Sequence, residues 1–197
     1  MIGITRHGCA IILFMAAHSA AFTSPDLNDY AVYSTVLANI PDRQERLLIA
    51  QESINAPEGS LRLTSCSGLS AETKAQIEEV TRANRDLRSI PAELESGKLR
   101  VSRPHVVLTP KQTDEWRRTR FQPKVPTDPR TEVVDPFPES RLIELSGVLY
   151  NRTRALALVY ISNICGNLCG SAQWELLAKK GDNWEVTPIG RCGGVIY

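Results

Sequence analysis

Residues 155–179 read ALALVYISNICGNLCGSAQWELLAK, two apolar runs joined by a break that carries Cys165, Gly166, Cys169 and Gly170. Side chains alternate along a strand. Leu156, Leu158 and Tyr160 therefore share one face of the first run, and Ala155, Ala157, Val159 and Ile161 share the other. Neither face is polar, so this strand is expected to be central in its sheet and covered on both sides. The two cysteines sit at the tip of the hairpin that the runs would form.

The same pattern extends outward. Leu142 to Tyr150, Ala155 to Ser162, Ala172 to Lys179 and Trp184 to Ile189 are strand candidates. Asn151-Arg152-Thr153, the cysteine loop and Lys180-Gly181-Asp182-Asn183 separate them, which predicts an antiparallel four-strand meander. Upstream, Ser24-Pro25-Asp26 opens a helix, with Ser24 as the capping hydroxyl. Tyr30, Tyr33, Val36, Leu37 and Ile40 follow at helical spacing until Pro41. Leu47 to Ala50 reads as a buried strand. Ser70 caps a surface helix over Ala71 to Leu87. Leu99 to Leu108 reads as an edge strand, because Pro104 cannot donate to a ladder. Thr109-Pro110 opens a short helix through Trp116. Phe121 to Pro138 holds five prolines and is expected to be an ordered crossing loop, with a linker as the alternative. The expected fold class is a single α+β domain over residues 22–197. An antiparallel sheet carries two or three helices packed on one face.

Residues 1–21 carry the marks of a secretory signal peptide. Arg6 and His7 precede the apolar run Cys9 to Ala17, and Ser19-Ala20-Ala21 supplies small residues before a cleavage at Phe22. A retained anchor or buried helix is the alternative, but the run is shorter than the roughly 20 residues a membrane span needs. Cleavage removes Arg6 from 23 basic and 22 acidic side chains, leaving 22 of each. A balanced chain is a poor partner for nucleic acid or an anionic membrane. Arg117, Arg118, Arg120 and Lys124 form the one basic patch, and without interleaved aromatics it reads as a solvated helix end. A periplasmic or secreted location follows, with no stable membrane span after cleavage. The partner is expected to be a protein or an envelope component.

Several segments resemble a family of exported bacterial proteins of uncharacterised activity. They are Leu145 to Asn151, Ala155 to Tyr160, Gly166 to Gly170, Leu176 to Lys179 and Trp184-Glu185-Val186. The family pattern is S-x-V-x-F-N, A-L-V-Y, G-x-L-C-G and L-x-K-x-x-G-x-W-x-V. Asp29 to Leu37 is similar to its N-terminal helix. Tyr150 stands where the pattern has phenylalanine. The resemblance covers the C-terminal third well and implies an exported α+β domain. It implies no activity and no catalytic residues.

Cleavage leaves four cysteines, Cys66, Cys165, Cys169 and Cys192, which allow three pairings of two disulfides. Cys165 with Cys169 across the hairpin and Cys66 with Cys192 is the preferred pairing. The long loop so closed would contribute about 4 kcal/mol by chain entropy. A zinc site using these cysteines and His105, or a redox pair at Cys165 and Cys169, are the rivals. Neither has the C-x-x-C spacing that would favour it. No cofactor or metal is expected.

His105 is the single histidine after cleavage, in an apolar strand and with no G-x-S-x-G elbow to serve. It reads as a hydrogen-bonded structural residue. Asp128, Glu132 and Asp135 fit no calcium loop. Glu139, Glu144 and Glu175 lie on or beside strands, and a glycosidase would need two of them to converge. Trp174 and Trp184 are expected to touch across neighbouring strands, or to form a binding surface if both are exposed. The leading expectation is a non-enzymatic binding module. A cell-envelope hydrolase with a carboxylate or His105 centre and a thiol-disulfide protein are the alternatives.

Overall fold

The structure, a computed structural model, describes residues 24–41, 46–57, 61, 69–84, 92–121, 141–166, 169–187 and 195–196. The expectations for the signal segment, for the proline-rich stretch after Phe121 and for Leu87 fall outside these residues. So do Cys66, Lys124, Asp128, Glu132, Asp135, Glu139 and Cys192.

The chain is α+β. Helix α1 spans Leu27–Ala38, α2 Ala71–Ala83 and α3 Pro110–Phe121. The strands are β1 Leu47–Ala50, β2 His105–Leu108, β3 Leu142–Leu145, β4 Leu149–Tyr150, β5 Leu156–Gly166, β6 Cys169–Lys180, β7 Asn183–Thr187 and β8 Val195–Ile196. They form one sheet with the order β2-β1-β3-β5-β6-β7, while β4 pairs with β5 and β8 with β6.

The sheet is mixed rather than antiparallel. β1 runs parallel to both β2 and β3, and antiparallel pairing begins at β3–β5. The physical reason lies in the connections. Parallel neighbours need a long crossover, and the β1–β2 and β2–β3 connections carry α2 and α3. The expected meander accounts for the other half, where β5, β6 and β7 pair in sequence.

Helices cover both faces, not one. On the first face α1 packs Tyr33, Val36 and Leu37 against Ile49, Ile143, Val159 and Leu177. On the second, α2 sets Ile77 and Val80 over Leu158, Tyr160 and Leu176. There α3 also sets Trp116 over Leu48, Leu108 and Leu142. β5 sits between these layers, and its residues 156–161 are all buried, as the two apolar faces require.

Local chemistry fixes the element ends. Asp26, not Ser24, caps α1: its carboxylate accepts from the Asp29 N–H at 2.9 Å and Asp29 returns the bond to the Asp26 N–H. Ser70 caps α2 through the Thr73 N–H. The third helix starts at Pro110 with Thr109 and Gln112 bonded to each other, and continues past Trp116 to Phe121. The expected strand from Leu142 to Tyr150 is broken at Ser146. Its hydroxyl accepts from the Tyr160 N–H and donates to the Gly147 carbonyl, so the side chain takes a place in the ladder. The expected strand from Leu99 narrows to His105–Leu108, the edge of the sheet.

Candidate functional site

Where α1 ends, the first face of the sheet is left partly uncovered. The last turns of α1 supply a wall of Val36, Asn39, Ile40 and Pro41. The floor comes from cross-strand neighbours of β5 and β6. Ile161 lies opposite Gln173, Asn163 opposite Ser171, and Glu175 opposite Val159 one step further along. Arg141, just before β3, completes a groove of about 210 Å³. A sheet floor and a helix wall hold these side chains in fixed register. Only the odd-numbered positions of β5 and β6 can reach it.

The groove is polar on one side and apolar on the other. Burial pushes the Glu175 carboxyl above its ordinary range, opposed by a hydrogen bond from Gln173. The side-chain carbonyl oxygen of Asn163 is fully buried without a hydrogen-bond partner among the described residues. An unpaired buried acceptor costs about 1–3 kcal/mol unless something meets it.

A smaller cavity of about 140 Å³ lies at the C-terminal ends of β1 and β3, lined by Glu52, Asp114, Arg117 and Glu144. Glu144 is buried there and forms an ion pair with Arg117, which also approaches Asp114 at 3.6 Å. The basic patch is thereby partly spent on structure. Among the described residues no cluster of three or more His, Cys, Asp or Glu is arranged to hold a metal ion.

The glutamates named from the sequence do not converge. Glu144 faces α3 and Glu175 faces the end of α1, on opposite sides of the sheet. His105 is half-buried on the edge strand, with Nδ1 3.2 Å from the Arg103 carbonyl, away from both cavities. Trp174 and Trp184 are each 6 % exposed and form no joint surface. Trp174 meets Tyr160 edge-on under α2, at 5.4 Å between centroids, while Trp184 packs on Tyr150 at 5.9 Å on the α1 side. The turn between β6 and β7 sends them to opposite faces, so they do not touch each other. Cys165 is engaged in a disulfide, and the side chains of the other cysteines lie outside the described residues. No helix of the described residues is long and apolar enough to cross a membrane.

Sequence reasoning missed Asn163, Ser171, Gln173 and Arg141. Polar residues recurring at every second position of two otherwise apolar strands were the available signal.

Comparison with protein-family models, curated proteins and solved structures returned no match for this chain.

Proposed function

We propose that this is an exported, disulfide-tied binding module whose ligand sits in the groove beneath the end of α1. The observation that carries the reading is the convergence of Glu175, Asn163, Gln173, Ser171 and Arg141 on one groove that also has an aliphatic wall. A few polar groups converging on an apolar concavity is the usual anatomy of a small-ligand site. A cell-envelope hydrolase is less well supported. Two-carboxylate chemistry needs a second carboxyl about 5–9.5 Å away, and Glu175 has none among the described lining residues. Export, membership of the exported bacterial family and the pairings Cys165–Cys169 and Cys66–Cys192 belong to the same proposal.

The test is a titration of the ¹⁵N-labelled chain with a library of small metabolites and short peptides. Binding is expected to shift the amides of Val36 to Ile40, Asn163 and Ser171 to Glu175. A Ser171→Trp substitution, which plugs the groove from an exposed strand position, should abolish those shifts. Shifts that map elsewhere, or that survive the plug, count against the groove. Export is checked by fractionation and N-terminal sequencing, with Phe22 expected first.

A further inference from the structure

The groove has a charge order along its length. Glu175 pairs with Val159, and Asn163 lies four residues further along β5. Arg141 precedes the Leu142–Ile164 pair and so falls level with residue 165. Glu175 and Arg141 therefore stand about 20 Å apart along the strands, at about 3.4 Å per residue, with Asn163 between them. Side chains extended towards each other from those two positions would leave a gap on the order of 10 Å between their charged heads. Three residues of extended peptide span about 10 Å.

From this we infer that the groove binds a short linear peptide of about three residues with both termini free. This rests on the binding-module reading. The ammonium terminus meets the Glu175 carboxylate and the carboxylate terminus meets Arg141. The Asn163 side chain lies on the groove floor between them. Small aliphatic side chains rest on Val36, Ile40, Pro41 and Ile161. Gln173 occupies one oxygen of Glu175 and leaves the other for the ammonium group.

The C-terminal turn of α1 has no basic side chain of its own. Arg103 donates to the Ile40 carbonyl at 3.3 Å and does not line the groove. Among the described lining residues Arg141 and Glu175 are the charged groups, one at each end. A single amino acid is too short to reach both ends.

Calorimetry on the purified chain with tri-alanine, dialanine, alanine, N-acetyl-tri-alanine and tri-alanine amide tests the inference. Affinity should fall from tri-alanine to dialanine to alanine. N-acetylation and Glu175→Gln should each cost roughly 10- to 100-fold, the loss of a charge-assisted hydrogen bond. Arg141→Gln should weaken tri-alanine about tenfold and leave the amide unchanged. Binding of tri-alanine that is indifferent to acetylation and to Glu175→Gln overturns the inference. So does a failure of tri-alanine to bind while other library compounds shift the groove amides, and in that case the groove reading stands. If no compound shifts those amides, both readings fall. Glu175→Gln keeps the shape of the side chain and removes a buried charge, so folding is not at risk.

Discussion

Glu144 and Glu175 stand on opposite faces of one sheet, with β5 between their strands. The relationship forbids a shared carboxylate centre and gives each residue its own role. Glu144 is buried and held by Arg117 from α3, whose side chain is 43 % exposed. Removing Arg117 strands a carboxylate under the helix. Arg117→Met is expected to destabilise the fold by about 1–3 kcal/mol, less than a fully buried pair would because the guanidinium is half in water. In the Glu144→Gln background the same change should cost less than half as much. Urea unfolding of the four proteins in this cycle measures the coupling. Equal costs in both backgrounds would show that the ion pair contributes nothing.

Glu175 makes stability depend on pH in a definite direction. Its folded carboxyl titrates above the ordinary value of 4.5 because it is buried, with the Gln173 bond acting the other way. Below 4.5 both folded and unfolded chains hold the proton, and the wild type is at no disadvantage to Glu175→Gln. Between the unfolded and folded values the folded chain binds more protons, so stability falls as pH rises. Above the folded value the full cost of the buried charge remains. Thermal midpoints across this range should show Glu175→Gln gaining on the wild type as pH rises, then holding level. Arg141 is the other charged lining group and is common to both proteins. Asp29, also raised by burial, is common to both proteins and cancels in the difference.

Asn151 joins α2 to the β4–β5 turn. It is buried, accepts from the Ala155 and Leu156 N–H groups, and donates to Glu79 at 2.7 Å and to Thr153. Asn151→Ala leaves two backbone donors unpaired and is expected to cost about 2–4 kcal/mol in urea unfolding. Asn151→Asp keeps the acceptor and loses the donor, with a second carboxylate set against Glu79. Its deficit should therefore shrink as pH falls towards the carboxylate range. A pH-independent deficit would rule out the charge contact as its cause.

How much of this was legible in the sequence varies by element. The alternating apolar faces of Leu156 to Ile161 gave the central strand, because burial on both sides leaves no polar position to blur the pattern. The helix starts at Ser70 and at Thr109-Pro110 are local chemistry and were readable for that reason. The parallel trio was hidden by length. Four-residue strands such as Leu47–Ala50 have no periodicity long enough to show their neighbours, and pairing with residues 105 and 142 is set by tertiary packing. The groove was hidden because Asn163, Ser171 and Gln173 look like ordinary exposed strand positions. Only the ending of α1 near Pro41 turns them into a floor. The tryptophans were misplaced by the parity of one turn: with Gly181 and Asp182 between β6 and β7, Trp184 pairs with Lys179 and not with the face of Trp174.

The hairpin tip offers the last prediction. β5 and β6 pair through Ile164–Gly170 and again at Gly166–Cys169, with a register shift between them. The proposed clamp of Cys165 to Cys169 there would close a loop of a few residues, worth about 2 kcal/mol by chain entropy, against about 4 kcal/mol or more for the proposed Cys66 with Cys192. Removing the long-range pair as Cys66→Ser with Cys192→Ser should thus lower unfolding stability about twice as far as Cys165→Ser with Cys169→Ser. Because the hairpin tip borders Arg141 and Asn163, the second variant should also loosen the groove and weaken tri-alanine binding. Thiol titration of the chain beginning at Phe22 is expected to find no free thiol before reduction and four after it. Two titratable thiols before reduction, or equal destabilisation by the two double variants, would contradict the proposed pairing.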